Sequence, residues 1–178
     1  MNRFVLAVAV AVLLVSGCTA SEPQEMENMG NLRLSSPAFP DKGTIPVDYS
    51  CQGMDVSPPL NITGIPLRAR SLALIMDDPD ASMGVWVHWV VYNIPSMTNS
   101  IAEGSAPDGA VVGRNSWGNN GYGGPCPPTG THRYLFKLYA LDTQLDLKSS
   151  ATRSDVEKAM TGHVMAQTTL VGLYKRKP

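Results

Sequence analysis

Apolar residues fall into short runs separated by glycine, proline and acidic turns, a pattern that predicts a domain built from short β-strands. The run 71–76 (SLALIM) is continuous and predicts a buried strand that ends in the acidic turn 77–80 (DDPD). The run 85–94 (VWVHWVVYNI) is β-branched and aromatic and stops at Pro95, which indicates a strand covered on both faces. The polar ring of His88 inside that strand would need a hydrogen-bond partner.

Residues 132–141 (HRYLFKLYAL) predict a further strand. By the two-residue period of a strand, His132, Tyr134 and Phe136 share one face, and Arg133 lies on the other.

The last part of the chain predicts one helix and a final strand. Ser154 and Glu157 have the spacing of a capping box, and apolar residues follow at helical spacing, which predicts a helix over 154–166. Residues 168–174 predict the last strand. Between the strands, the polar segment 103–131 is rich in glycine and proline and too long for a hairpin, which is typical of a functional loop.

Composition supports an all-β fold class. The 178 residues are 43% hydrophobic and 16% charged, a globular balance, and sixteen glycines with fourteen prolines are too many for a helical bundle. Fourteen Lys and Arg against fifteen Asp and Glu give a net charge of −1, so no general attraction to nucleic acid is expected.

The N-terminal segment has the pattern of an export signal. Arg3 precedes a twelve-residue apolar run over 4–15, which is too short to cross a bilayer and has the length of a signal-peptide core. The run ends in Val-Ser-Gly before Cys18, which resembles the lipobox of bacterial lipoproteins. An ordinary cleavage site beside an incidental cysteine is the alternative. We therefore predict a signal peptide over 1–17, lipidation of Cys18, a flexible tether over 18–31 and a folded domain over 32–178, on a protein anchored to a membrane and facing the periplasm or cell exterior.

Assigning Cys18 to lipid leaves Cys51 and Cys126 of the three cysteines. An oxidising compartment favours a disulfide between them, and two separate buried thiols are the alternative.

Five polar residues lie at predicted strand ends. Each alone has a structural explanation: Asp-Pro-Asp is a common turn, and a histidine in a strand is often a satisfied core residue. Together they would form a cavity with convergent polar groups if those strand ends meet. These residues are Asp78, Asp80, His88, His132 and Tyr134.

Several separated motifs follow one another along the chain: 55–60 (DVSPPL), 78–81 (DPDA), 87–95 (VHWVVYNIP), 121–128 (GYGGPCPP), 130–134 (GTHRY) and 162–164 (GHV). In this order they resemble the phosphatidylethanolamine-binding protein family, in particular its bacterial Raf kinase inhibitor-like group. The similarity runs over about 32–176.

The resemblance implies a single β-sandwich of two antiparallel sheets with one or two peripheral helices. It also implies a small anion pocket, whose residues carry over as Asp78, Asp80, His88, Gly124, Pro125, His132 and Tyr134. One position departs from the family: Ser82 stands where a proline usually follows Asp-Pro-Asp-Ala, so we expect a looser or more polar rim.

Two carboxylates would repel an anion if they faced it. A carboxylate bonded to an imidazole instead orients that ring and favours its charged form, so the histidine can present an N–H to the ligand. The Tyr134 hydroxyl and backbone N–H groups around Gly124 would add neutral donors.

We therefore predict non-enzymatic binding of a small anionic or phosphorylated head group, phosphate-like or carboxylate, with no cofactor and no metal. The first alternative is an inhibitor or regulator of a partner protein, such as a protease or kinase, which the resemblance allows. The second is a metal-assisted hydrolase using the histidines and acids, although neither a compact metal-ligand motif nor a G-x-S-x-G nucleophile elbow occurs in the sequence.

Replacing Cys18 by serine is expected to abolish acylation and release the protein from membranes, because the lipid is attached through the sulfur. Intact mass measurement of the membrane fraction should show a lipid adduct on Cys18. A soluble, unmodified protein that starts at another residue would contradict this prediction.

Overall fold

A computed structural model describes residues 31–177, so the predicted signal peptide, Cys18 and all but the last residue of the predicted tether lie outside the described residues. Within this range the chain forms nine strands, one turn of 3-10 helix and one α-helix. In chain order these are β1 (Arg33–Ser35), β2 (Gly43–Thr44), a 3-10 turn (Val47–Tyr49), β3 (Leu60–Thr63), β4 (Ser71–Asp78), β5 (Trp86–Pro95), β6 (Ser100–Ile101), β7 (Val111–Val112), β8 (Thr131–Leu141), α1 (Arg153–Met160) and β9 (Val164–Lys175).

The strands form two sheets. The smaller has the order β1-β3-β6 and the larger the order β2-β9-β8-β4-β5-β7. All strand pairs are antiparallel except β2 and β9, which run parallel over two residues at the edge of the larger sheet. The predicted all-β fold with two sheets and a peripheral helix is confirmed.

The main core lies between the sheets. Leu72, Leu74 and Met76 of β4 alternate inward, and Phe136 and Leu138 of β8 meet the same cluster. All five side chains are buried from water. Burial of such side chains is worth about 1.5–3 kcal/mol each, which makes this layer the principal stabilising element.

A second apolar layer covers the outer face of the larger sheet. Ile75 of β4 and Tyr92 of β5 point outward and pack with Val156 and Met160 of α1. The helix therefore buries the outer face of the central strands. This second layer confirms that the 85–94 strand is covered on both faces.

The helix is shorter than predicted and begins one residue earlier. Its N-cap is Thr152, whose side chain accepts a bond from the backbone N–H of Asp155, while the Asp155 carboxylate accepts from the backbone N–H of Thr152. Thr152 and Asp155 therefore form the capping box, and the predicted pair Ser154 and Glu157, which has the same spacing, does not. Gly162 follows the helix at φ +83, a left-handed conformation that ends helices.

The residues expected to continue the helix join the sheet instead. Val164 pairs with Leu141, so β9 starts there, earlier than the predicted 168, because β8 offers a free edge along its whole length. Among the described residues, no helix is long and apolar enough to cross a membrane.

The glycine- and proline-rich segment 103–131 is not wholly irregular. It contains β7, which pairs with β5 through Val91 and Val112. Arg114 then bridges to Asn120 and to Thr152, the cap residue of α1. The rest of the loop returns over the end of β5 to reach β8.

A Cys51–Cys126 disulfide joins the segment after the 3-10 turn to this loop, with Cα atoms 5.5 Å apart. The predicted pairing is present in the structure. The backbone N–H of Cys51 also donates to the carbonyl of Pro125, at 3.2 Å, so a hydrogen bond next to the disulfide helps to hold the two segments together.

Removing the disulfide with the Cys51→Ala/Cys126→Ala variant is expected to lower the free energy of unfolding by about 4 kcal/mol, since the bond closes a long loop in the unfolded chain. The two cysteines are 75 residues apart in sequence. Chemical denaturation of both proteins measures the difference. Full thiol labelling of both cysteines in unreduced, denatured wild type would refute the bond.

Candidate functional site

The position of His88 is set by a β-bulge in β5. Met76 pairs with Trp89 whereas Asp77 pairs with Val87, so His88 is an extra residue opposite β4. Strict alternation would have placed His88 on the outer face with Val90. The extra residue turns its side chain to the inner face instead.

The inner-face ends of β4, β5 and β8 enclose a cavity of about 300 Å³. Polar groups form part of its wall, and aromatic and apolar side chains from the neighbouring loops form the rest. The lining residues are Asp78, Ala81, Ser82, Met83, Trp86, His88, Trp117, Cys126, Pro127, Pro128, His132 and Tyr134.

A buried hydrogen bond between a carboxylate and an imidazole joins β4 to β8 at this cavity. Asp78 Oδ2 lies 2.7 Å from His132 Nδ1, and both side chains are nearly excluded from water. Because a carboxylate accepts, Nδ1 carries the hydrogen, and the ring presents Nε2 as its remaining nitrogen. Asp78 Oδ1 accepts from the backbone N–H of Asp80 at 2.8 Å, so both carboxylate oxygens are engaged.

His88 is held in its neutral form. Its Nδ1 lies 2.6 Å from the carbonyl oxygen of Gly123, which can only accept, so Nδ1 is the donor. Burial lowers the pKa of His88 below its ordinary value of 6.5, and the Gly123 carbonyl and the charge of Asp78 only partly oppose that shift. The bare Nε2 of neutral His88 is therefore an acceptor.

The Tyr134 hydroxyl is the unpaired donor of the site. Its side chain is fully buried, and its oxygen lies near the Asp78 carboxylate and the Cys126 backbone without completing a hydrogen bond to any residue of the described range. Burial, with the negative charge of Asp78 as a further cause, raises the pKa of Tyr134 far above its usual range. The group thus stays protonated and has a hydrogen to donate.

Three of the predicted site residues lie outside the cavity wall. The Asp80 carboxylate binds Arg133, at 2.9 Å to Nε and 2.6 Å to Nη2, and these bonds lower the pKa of Asp80 to about 2. The N–H of Gly124 donates to Asp55 Oδ1 at 2.6 Å, so it is not free for a ligand, and Pro125 is buried behind Cys126.

The sequence analysis missed the aromatic wall. Trp117 packs edge-on against Trp86 and His88, with ring centres 5.3 and 5.1 Å apart, and His88 packs edge-on against Tyr134 at 5.1 Å. A Cβ at Gly123 would lie 2.6 Å from the Trp117 ring, so only glycine lets the indole approach the backbone there. A single exposed tryptophan in a glycine-rich loop gave no signal of this contact.

The sequence and the fold match known proteins. A family profile described as phosphatidylethanolamine-binding protein matches residues 35–175. The chain belongs to the phosphatidylethanolamine-binding protein family. The predicted resemblance is confirmed.

Individual relatives agree with this assignment. A UPF0098 protein of Methanothermobacter thermautotrophicus is 52% identical over 150 residues, covering 82% of this chain and 99% of the relative. A UPF0098 protein of Pyrococcus horikoshii is 45% identical over 181 residues, covering 97% of this chain and 88% of the relative.

Two crystal structures share the fold. The phosphatidylethanolamine-binding protein homologue CT736 of Chlamydia trachomatis has a TM-score of 0.79 and 42% identity, covering 82% of this chain and 98% of its own. E. coli YbcL, described as a member of the mammalian family of these proteins, has a TM-score of 0.77 and 30% identity, with 82% and 99% covered.

The lowered pKa of His88 predicts a pH-dependent stability for this family member. Unfolded His88 binds a proton near pH 6.5, whereas the folded ring does so only at lower pH. Between these two pKa values the unfolded chain binds the proton and the folded protein does not. The free energy of unfolding is therefore unaffected by the titration of His88 above the unfolded pKa, and it decreases by up to about 1.4 kcal/mol per pH unit as pH falls toward the folded pKa.

Denaturation of wild type and of a His88→Gln variant between pH 8 and pH 4 tests this. Glutamine cannot titrate and keeps a donor for Gly123. The difference in unfolding free energy should shift in favour of the variant as pH falls below about 6.5. Parallel curves would contradict the prediction.

Proposed function

We propose that the cavity binds a small oxyanion, such as a phosphate, phosphate ester or carboxylate head group. The observation that carries the proposal is the buried Tyr134 hydroxyl, which lacks a partner within residues 31–177 and shares the cavity with the ring of His132. An unsatisfied buried donor costs about 1–3 kcal/mol, and a ligand oxygen would recover it.

The electrostatics support an anion once His132 is protonated. His132 already donates through Nδ1 to Asp78, so a proton on Nε2 makes the ring an imidazolium and gives the cavity a second donor. The charge of the imidazolium then offsets that of Asp78. An anion therefore meets a neutral ion pair with two donors directed to it, and it does not meet a bare carboxylate.

His88 adds selectivity to the proposal. Its neutral Nε2 accepts, so it would suit the protonated oxygen of a phosphate monoanion, which carries both donor and acceptor oxygens. The aromatic wall of Trp86, Trp117 and Tyr134 limits the cavity to a compact head group, with Met83 at the rim 91% exposed.

The proposed anchor at Cys18 would place this site at a membrane surface. The alternative of a protein regulator stays a prediction. For the hydrolase alternative, no three His, Cys, Asp or Glu side chains of residues 31–177 come together in a group that would hold a metal ion.

The proposal predicts that anion affinity rises as pH falls. Binding benzenesulfonate, which does not titrate in this range, requires protonated His132, so its Kd should decrease by up to about tenfold per pH unit while binding remains coupled to proton uptake. Calorimetry between pH 8 and pH 4 in buffers of different ionisation enthalpy measures both affinity and proton uptake.

A second histidine that is also bonded to an aspartate provides the control for His132. His163 lies 2.8 Å from Asp142 in an exposed His–Asp pair outside the cavity. His132→Ala should abolish the pH-dependent binding, whereas His163→Ala should retain it. Absence of binding by wild type, or equal binding by the His132→Ala protein, would refute the proposal, and tight zinc binding only above neutral pH would favour the hydrolase.

A further inference from the structure

A second cavity of about 290 Å³ lies beside the first and shares Trp117 and Cys126 with it. Its wall also contains Asp55, which belongs to the 55–60 motif that the proposed anion site does not use. None of the described residues that line this second cavity is Lys, Arg or His. Its electrostatics therefore differ from those of the first cavity.

Hydrogen-bond donors of this wall are largely engaged within the protein. The backbone N–H groups of Trp117 and Asn119 donate to the side chain of Asn115, at 3.0 and 3.1 Å. The N–H of Gly123 donates to the carbonyl of His88 at 3.0 Å, and that of Gly124 donates to Asp55. The wall is consequently poor in donors for an anion.

Asp55 supplies a carboxylate oxygen that no described residue engages. Its Oδ1 accepts from Gly124 at 2.6 Å, while Oδ2 makes no hydrogen bond to any residue between 31 and 177. The Asp55 backbone has a φ of +57, a conformation that non-glycine residues rarely adopt. The bond to Gly124 fixes one carboxylate oxygen, so the second is held at the cavity with a defined orientation.

Trp117 adds an aromatic surface to the same wall. Its side chain is 47% exposed, yet its ring is fixed by edge contacts to Trp86 and His88 on the side of the first cavity. A cation within about 6 Å of an indole centre is attracted by the ring's quadrupole. A carboxylate and a fixed indole in one wall suit a planar guanidinium group, which can stack on the ring and donate to the carboxylate.

We propose that this second cavity is a binding site for an organic cation of the guanidinium class. Asp55 Oδ2 accepts an N–H of the cation, and Trp117 contacts its charged face. The proposal does not depend on an anion in the first cavity.

The test compares n-butylguanidinium with n-butylurea, a neutral analogue of similar shape, by ¹⁵N NMR titration of the folded protein. Saturable shifts of the Trp117 indole N–H and the Gly124 amide with butylguanidinium, and at least about fivefold weaker effects with butylurea, are expected because a charge-assisted bond is lost. Equal shifts with both probes, no saturation, or shifts confined to the His132 side of the first cavity would overturn the proposal.

Variants separate the two contacts. Asp55→Asn keeps an amide oxygen for Gly124 and removes the charge, and should weaken butylguanidinium binding at least about fivefold. Asp48→Asn makes the same charge change at an exposed residue outside the wall and should leave binding unchanged. Trp117→Leu should weaken binding without changing the Gly124 amide bond. Unchanged binding by a folded Asp55→Asn protein would overturn the proposal, and if that variant fails to fold, the wild-type comparison of the two probes decides.

Discussion

One extra residue in β5 determines how the site is built. With strict alternation, His88 would face the apolar layer under α1, next to Val90, where a polar ring has no partner. The bulge brings the ring to the inner face. There His88 bonds Gly123 twice, with its Nδ1 directed to the Gly123 carbonyl and its own carbonyl accepting from the Gly123 N–H. The interrupted ladder is thus replaced by two bonds that attach the loop to the strand.

The three carboxylates at the end of β4 and in the turn that follows point in three different directions. Asp77 points outward and binds Lys137 and Arg153, at 2.8 and 3.1 Å, which fixes the first turn of α1 to the sheet. Asp78 points inward to its histidine, and Asp80 binds Arg133 beyond the strand end. Since each acid has a different cationic or imidazole partner, the cavity contains one carboxylate, and the repulsion expected from an acidic turn does not arise.

Strand periodicity correctly predicted the features of the fold that depend on local sequence alone. The two-residue alternation of β8 correctly placed His132 and Tyr134 on one face, and the apolar run of β4 correctly ended at the acids. Periodicity did not predict the bulge in β5 or the end of α1, because contacts between residues distant in sequence determine both. The bulge depends on the bond between His88 and Gly123, and the helix is cut short because residues after Gly162 pair with β8.

The same limit applies to the site. Two-residue alternation would place Asp78 and Asp80 on the same face. They have separate partners because β4 ends at Asp78 and Asp80 binds Arg133 beyond the strand end. The engagement of Gly124 by Asp55 joins residues 69 apart in sequence, which no local pattern predicts. The residue types in the sequence therefore predicted the region of the site. Contacts between residues distant in sequence determine which of their polar groups face the cavity.

The loop over 115–126 sets the width of the cavity, because its position is fixed at several independent points. The bonds of Gly123 to His88 and of Gly124 to Asp55 hold its backbone, and Cys126 attaches it covalently to Cys51. Trp117, held between this backbone and the rings of β5, is consequently part of a rigid wall even though much of its surface is exposed. The strand ends provide the hydrogen-bonding chemistry, and the loop provides the shape. The proposed anion site therefore predicts that chains with the same strand-end residues and a different loop use the same donors and differ in the size of the ligand that they accept.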